Sequence, residues 1–271
     1  IISISKYKQI LNPVRDFNKW EKSYRNMFKK SPVVSKNKIK GEKIKPSEII
    51  YLKNSTNLQS LNINQICNKK IINNVISGAP ISLKDIYQRV GIIIVARNSS
   101  NRFPKKALAK ICGKESIACL IDRMKKVKNA DEIILATSIS KSDDSLVKIA
   151  KREKIKYFRG SLKNVASRYH DAAKKFNLDH VVRITGDAIL CDEHMLERAI
   201  DTQITKGTDV VFMKNMPYGT AKEVFSLRVI EAISKYSENP ENTEYLEWFL
   251  ENSRNFKIDY VRSNYKFDKK I

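Results

Sequence analysis

The sequence predicts an α/β fold with a mainly parallel sheet, preceded by a small β-rich unit. Three observations predict it. From Gly91 onward, short apolar runs alternate with amphipathic stretches of helical period, the pattern of βαβ units. The first of these runs, residues 92–96, is apolar at every position, as expected of a buried strand. Before Gly91 the helical period gives way to glycines set between short aliphatic runs, which mark tight turns.

Residues 1–32 predict a helix. Leu11, Val14, Phe17, Trp20, Tyr24 and Phe28 recur at three- or four-residue steps and form one apolar stripe, with Pro13 near its start. A stripe of this kind needs a partner, so the segment is expected to be a helical connector. Residues 33–90 are expected to form the β-rich unit. It contains an internal echo: Lys38-Ile39-Lys40-Gly41-Glu42-Lys43-Ile44 is answered by Val75-Ile76-Ser77-Gly78-Ala79-Pro80-Ile81. Each copy has an aliphatic residue, a glycine two residues on and another aliphatic three after that. A short helical start follows each copy, at Pro46-Ser47-Glu48-Ile49 and Ser82-Leu83-Lys84-Asp85-Ile86.

Beyond Gly91, strands are predicted at 92–96, 132–136, 156–158, 180–184 and 209–213. Helices are predicted at 116–128, 144–153, 163–176 and 193–205. Ile117, Leu120, Ile121, Met124 and Val127 make a clean core stripe on the first helix. Residues 223–228 suggest one more strand. Residues 229–252 read as helix with a break at Asn239-Pro240, and Tyr245, Trp248 and Phe249 there suit core or interface.

The 271 residues suffice for one large domain or two ordinary ones. No apolar run approaches the ~18–20 residues needed to span a bilayer, and residues 1–30 lack the basic-then-apolar order of a signal peptide. A cytoplasmic location is expected, and the initial Ile suggests that the chain begins inside a reading frame. The net charge of +23 and pI of 9.8 would suit a polyanionic partner. However, Lys, Ile and Asn are abundant together throughout, as AT-rich coding produces. The charge is spread out, and aromatics are not interleaved with the basic runs as base stacking needs. A basic nucleic-acid-binding protein is therefore kept as an alternative. Cys67, Cys112, Cys119 and Cys191 form no Cys-x-x-Cys pair, and His170, His180 and His194 complete no zinc spacing. Free thiols in a reducing compartment are expected.

Two stretches carry the chemistry. The run 92–96 ends abruptly in a polar loop, 97–106, that holds Arg97, Arg102, Lys105 and Lys106 together with the hydroxyls of Ser99 and Ser100. Open α/β sheets bind ligands at the carboxyl ends of their strands. Several cations, small donors and free backbone N–H groups in one loop suit a polyphosphate, although a solvated basic loop would read the same way. The second stretch is Val181-Val182-Arg183-Ile184-Thr185-Gly186-Asp187, an apolar strand ending in Thr-Gly-Asp. Gly186 would let backbone approach a ligand. A carboxylate beside phosphates is repulsive unless a cation bridges them, which Mg²⁺ does with one or two carboxylates plus phosphate oxygens. A helix-capping Asp at a strand-end turn is the plainer reading.

The first stretch resembles the signature of the sugar-activating cytidylyltransferases, A-R-x-x-S-x-R-(L/F)-P-x-K, at Ala96, Arg97, Ser100, Arg102, Phe103, Pro104 and Lys106. The second resembles the V-R-I-T-G-D motif of the spore-coat-type, CMP-KDO and CMP-sialic acid members, with Ala188 and Ile189 replacing the usual residues that follow. Three weaker matches accompany them. Ala136-Thr137-Ser138 lies where the family places a turn near the cytidine. Phe158-Arg159-Gly160-Ser161 with Val165, Arg168 and Tyr169 resembles F-R-G-S-x-x-x-V-x-x-R-Y, with Ser167 in place of Asp. Gly219 with Glu223-Val224-Phe225 resembles G-x-D-x-E-V-F, with Ala221 in place of Asp.

The resemblance implies a Rossmann-like nucleotide-diphospho-sugar transferase fold for residues 91–271. It implies that a sugar hydroxyl attacks the α-phosphorus of CTP, giving a CMP-sugar and pyrophosphate for cell-surface polysaccharide. By resemblance Ala96, Arg97, Ser99, Ser100, Arg102, Lys106, Ser138, Arg183 and Gly186 bind nucleotide, and Arg159, Arg168 and Glu223 bind the sugar. Arg97, Lys106 and Asp187 would be catalytic, with Asp187 holding Mg²⁺. A further metal carboxylate is usual near the family's C-terminus, so truncation after Ile271 is expected.

Residues 33–90 resemble the antifreeze-like (SAF, β-clip) domain at the C-terminus of sialic acid synthases, through Asn68, Lys69, Ile71, Asn73, Asn74, Val75, Gly78, Pro80 and Ile81. The family's sugar-binding Arg falls at Asn73 and its acid at Asn74. This company implies a nonulosonic acid substrate, an upstream synthase barrel and, from the transferase side, a homodimer. Other nucleoside triphosphates, and a non-catalytic scaffolding remnant of a bifunctional synthase-like protein, stay open as alternatives.

Overall fold

The computed structural model of the protein describes residues 18–28, 30–53, 61, 63–99, 104–236, 246, 250 and 256–264. The chain divides into two compact units, Ile1–Tyr87 and Gln88–Ile271. Among the described residues no helix is long and apolar enough to cross a membrane.

The first unit opens with helix α1 (Lys19–Phe28), then strand β1 (Lys30–Val34), which pairs antiparallel with β2 (Ile49–Lys53). A short helix α2 covers Ile63–Ile66. The predicted helix therefore gives way to a strand at Lys30. Leu11, Val14 and Phe17 of its stripe lie outside the described residues. Trp20 is 84% exposed, with Tyr24 and Phe28 also exposed.

The echo in this unit is a pseudo-twofold repeat, in which each residue is matched by the one 37 positions on, as Lys38 is by Val75. Lys38 and Val75 exchange both backbone hydrogen bonds at 2.8 Å and so straddle the pseudo-axis. Gly41 N–H donates to Ile71 O and Gly78 N–H to Val34 O, both at 2.9 Å. Lys40 N–H donates to Asn74 Oδ1 and Ser77 N–H to Asn37 Oδ1, both at 2.8 Å. The bridges Val33↔Pro80 and Lys43↔Lys70 are likewise related. Gly41 and Gly78 adopt φ +103° and +77°, which a side chain would strain. Each copy then enters a 3₁₀ turn, Pro46–Glu48 or Leu83–Asp85, whose last carboxylate accepts the N–H of the residue before the turn. Ile44, Ile66, Ile71, Val75, Ile81 and Ile86 fill the small core between the copies.

The second unit is a seven-stranded sheet. Its elements in chain order are β3 (Val90–Val95), a small hairpin of β4 (Lys110–Ile111) and β5 (Lys114–Glu115), α3 (Ser116–Met124), β6 (Glu132–Ser138), α4 (Asp144–Arg152), β7 (Lys156–Gly160) and α5 (Val165–Lys175). Then follow β8 (His180–Thr185), α6 (Glu193–Lys206), β9 (Val210–Lys214), β10 (Glu223–Ser226), α7 (Leu227–Tyr236) and β11 (Ile258–Arg262). The sheet order is β11-β9-β10-β8-β3-β6-β7. Strands β8, β3, β6 and β7 run parallel, and β10 runs antiparallel to both β8 and β9.

Successive residues of β3 face opposite cores. Val90, Ile92 and Ile94 pack with α3, α4 and α6, whereas Ile93 packs with α5 and α7. Burial on both faces is why this strand reads as an uninterrupted apolar run. The last predicted helix, 229–252, begins earlier, at Leu227, and its described part ends at Tyr236. Tyr245, Trp248, Phe249 and the Asn239-Pro240 break lie outside the described residues. Strand β11 and the β4–β5 hairpin carry no signal in the apolar pattern strong enough to predict them.

Candidate active site

Register brings the two chemistry-bearing stretches together. Val95 pairs with Ala136 on one side and with Thr185 on the other, so β6, β3 and β8 end level. Ala96–Arg97, Thr137–Ser138 and Gly186–Asp187 therefore emerge side by side from one sheet edge. Gly186 N–H donates to Val95 O at 2.9 Å, and Ala96 N–H to Ala136 O at 3.2 Å, which lock these ends together.

Gly186 is small for a packing reason. A Cβ there would stand 2.8 Å from the Ala96 Cβ and 3.4 Å from Ile117 Cδ1. Its lack of a side chain admits Ala96, and so brings Asp187 to the loop.

Lys106 Nζ lies 2.6 Å from Asp187 Oδ2. Both side chains are half-buried, at 35% and 52% exposure. Burial opposes ionisation of Asp187, but hydrogen bonds from the Lys106 ammonium and the Thr185 side chain outweigh it and hold the carboxyl below its usual range. The loop's described ends are fastened. Lys105, in the left-handed region at φ +55°, donates its N–H to Asn98 O at 3.1 Å, and Arg97 Nη1 donates to Leu162 O at 3.3 Å. Ser99 is exposed. Ser100, Arg102 and Phe103 lie outside the described residues.

A fully buried carboxylate, Asp143, ties this loop to the turn after β6. Its Oδ1 accepts Asn98 N–H at 2.7 Å. Its Oδ2 accepts both the Ser138 N–H, at 3.1 Å, and the Ser138 hydroxyl. Asn98 Nδ2 adds bonds to Ser142 O at 2.6 Å and Ser145 Oγ at 2.9 Å. Sequence reasoning missed Asp143 because an acid just before a helix reads as an N-cap, and here the carboxylate makes no capping bond.

Arg159, expected at the sugar, instead spends three donors on this turn: Ser138 O at 3.0 Å, Ser140 O at 2.6 Å and Asp144 Oδ1 at 2.6 Å. On the other side of Asp187, Arg183 and Glu223 face each other across β8 and β10 and pair at 3.0 Å. Arg168 is buried on α5. The charges of Arg183, Arg168, Glu223 and Asp187 all act on the phenol of buried Tyr169, whose hydroxyl donates to Ile184 O at 3.0 Å and whose pKa burial pushes up.

Among the described residues no three His, Cys, Asp or Glu side chains converge as a metal cage. Asp187 alone fits a metal that arrives on substrate phosphates, since Mg²⁺ in such sites needs only one or two protein carboxylates.

Residues 91–264 match the cytidylyltransferase family. The chain belongs to that family. A Methanocaldococcus jannaschii protein, MJ1063, is 33% identical over 170 residues, which cover 62% of this chain and 70% of the relative. The spore coat polysaccharide biosynthesis protein SpsF of Bacillus subtilis is 28% identical over 147 residues, 53% of this chain and 61% of SpsF. The 3-deoxy-manno-octulosonate cytidylyltransferase of Geobacter metallireducens is 31% identical over 132 residues, 44% of this chain and 48% of that enzyme. The chain thus spans less than two thirds of the latter two. A cytidylyltransferase structure from Leptospira borgpetersenii superposes with TM-score 0.62 at 28% identity, covering 66% of this chain and 77% of that one. CMP:2-keto-3-deoxy-manno-octonic acid synthetase, in complex with CTP, shares the fold, with TM-score 0.52 at 17% identity over 65% of this chain and 91% of its own.

Proposed function

We propose that the cytidylyltransferase unit activates a sugar acid of the nonulosonic type with CTP, releasing pyrophosphate, in the supply of cell-surface polysaccharide. The observation that carries this is the meeting of Lys106 and Asp187 at 2.6 Å where three parallel strands end. A cationic loop and a carboxylate on one edge are what a metal-borne triphosphate needs.

In this reading Ala96, Arg97, Ser99, Ser100, Arg102 and Lys106 line the triphosphate, with Gly186 and Arg183 beside it and Ser138 at the base. Lys106 leaves Asp187 for the phosphates as nucleotide enters, and Arg97, Arg102 and Lys106 neutralise the departing pyrophosphate. Asp187 would hold Mg²⁺, which when bound polarises the α-phosphate. The sugar hydroxyl attacks that phosphorus in line, and positioning supplies most of the rate. Arg168 and Glu223 stand on the acceptor side. Arg159 serves the site by fixing the 138–144 turn.

The repeat in the first unit supports its reading as an antifreeze-like (SAF) domain with a structural role. Its Asn73 and Asn74 side chains bond backbone of their own unit, at Lys84 O and Lys40 N.

The test is pyrophosphate release from CTP, UTP, GTP and ATP with Mg²⁺ across a panel of sugar acids. Turnover with CTP and a sugar acid is expected. Turnover with another nucleotide, or with neutral sugars alone, contradicts the proposal.

A further inference from the structure

Helix α1 buries none of its described side chains. Trp20, Tyr24 and Phe28 follow at four-residue steps and so lie along one face, at 84%, 64% and 52% exposure. A helix of ten residues is marginal in water by itself and is normally held by an apolar face packed on a core. The exposed surface extends beyond the helix. Lys53 Nζ stands 4.9 Å from the centre of the Phe28 ring, which brings the end of β2 to the end of α1. On β2, Ile50, Tyr51 and Leu52 are all exposed, although a continuous apolar run normally marks a buried strand.

The charge around these residues is one-sided. Residues 18–53 hold eleven Lys and Arg against three Glu and no Asp. The three acids are engaged locally. Glu21 and Asn18 close a capping box at the start of α1, with both bonds at 2.9 Å. Glu42 accepts Ile39 N–H at 2.9 Å, and Glu48 holds Lys38 and Lys36. Register sets Lys30 opposite Lys53 at the ribbon end where α1 leaves off.

Three occupants suit an exposed aromatic face, and charge and ring geometry choose between them. A second copy would set the same excess of cations against itself. Single-stranded nucleic acid needs open ring faces for its bases. Here Tyr24 and Phe28 lie against each other with centroids 4.6 Å apart, Lys53 sits over Phe28, and β2 adds the aliphatic Ile50 and Leu52. An anionic bilayer surface takes every component: Trp and Tyr settle at headgroup level, aliphatic side chains enter the acyl boundary, and Lys and Arg meet the headgroup charge. At about 15 Å, α1 is too short to span a bilayer and has the length to lie in its surface.

We propose that α1 and the β1–β2 ribbon dock the protein on an anionic membrane surface, with Trp20, Tyr24 and Phe28 inserted at the interface. This goes beyond the proposed reaction and does not rest on it.

The experiment uses the full chain carrying Trp248→Phe, which leaves Trp20 as its only tryptophan. Vesicles of phosphatidylcholine alone are compared with vesicles containing about one third phosphatidylglycerol. Binding is read by co-sedimentation and by Trp20 emission. Binding to the anionic vesicles with a blue shift of that emission is expected, weakening several-fold between about 0.1 M and 0.5 M salt as screening grows. Combined Trp20→Ser, Tyr24→Ser and Phe28→Ser should cut co-sedimentation at least about tenfold. The thermal midpoint should hold, because these side chains are exposed. No sedimentation with anionic vesicles, equal sedimentation with neutral ones, or binding indifferent to the triple substitution overturns the inference. So does a dimer in lipid-free solution that the triple substitution dissociates, or quenching of Trp20 by single-stranded RNA that displaces the vesicles. None of these results bears on pyrophosphate release, so the proposed function stands or falls separately.

Discussion

Lys106 Nζ and Asp187 Oδ2 stand 2.6 Å apart although 81 residues separate them. The pair neutralises two charges on one sheet edge. In the proposed function, nucleotide and its metal would each take over one partner.

Lys106→Met should therefore raise the Asp187 pKa. Burial already pushes it up, and Lys106 supplies the first of the interactions that pull it down. In wild type the carboxylate form is lost only below the ordinary Asp value of about 3.9. In the variant it is lost at higher pH. Carbon-13 titration of the Asp187 carboxyl should show the midpoint moving up; an unmoved midpoint would mean that the ammonium does not govern this acid.

Asp143→Asn should loosen both the loop that follows β3 and the 138–144 turn. One carboxylate accepts Asn98 N–H, Ser138 N–H and the Ser138 hydroxyl, and an amide has only one acceptor oxygen for them. The cost should be about 1–3 kcal/mol in a urea titration, since a buried group is left unpaired. The KM for CTP should rise more than kcat falls. Wild-type stability and KM in the variant would remove Asp143 from the site.

Gly186→Ala places a methyl group 2.8 Å from the Ala96 Cβ, on backbone that cannot swing away. Overpacking of this kind costs about 1–3 kcal/mol. Asp187 is the next residue, so kcat should fall with the thermal midpoint. At Gly91 the contact is instead the flexible tip of Leu178, at 2.2 Å. Gly91→Ala should destabilise while sparing kcat in the folded fraction, and the pair separates a packing loss from a site displacement.

In the first unit, Glu48 is held by Lys38 at 2.7 Å, by Lys45 N–H and by Lys36 at 2.9 Å, and its pKa falls to about 2. A lowered carboxylate pKa adds stability above the unfolded value, near 4.3, that is lost as pH falls through the folded one. Wild type should thus lose stability between about pH 4.5 and 2 more steeply than Glu48→Gln. Parallel acid denaturation curves for the two would show that the triad adds nothing.

The strands of the second unit were legible because burial on both faces leaves no polar position, as in 92–96. Its helices were legible from stripes such as Ile117, Leu120, Ile121 and Met124. The repeat in the first unit was legible from its glycines, since only they take the positive φ that each turn needs. What was not legible depends on distant partners. Asp143 acts on Asn98, 45 residues away, and looks locally like a cap. Arg159 satisfies carbonyls of another strand's turn, so its motif position alone says nothing of what it touches. β11 pairs with β9 at the sheet edge, and its apolar residues Ile258, Tyr260 and Val261 are split by Asp259 and flanked by Lys257 and Arg262, so they give no run to read.

The measurement that bears most directly on the central claim is Mg²⁺-dependent pyrophosphate release from CTP by Asp187→Ala, made in the full chain with a sugar acid that wild type turns over. If the basic loop and Asp187 grip one triphosphate between them, release falls to background while the fold, read by circular dichroism, persists. Turnover retained at the wild-type rate would take Asp187 out of the chemistry and the shared site with it.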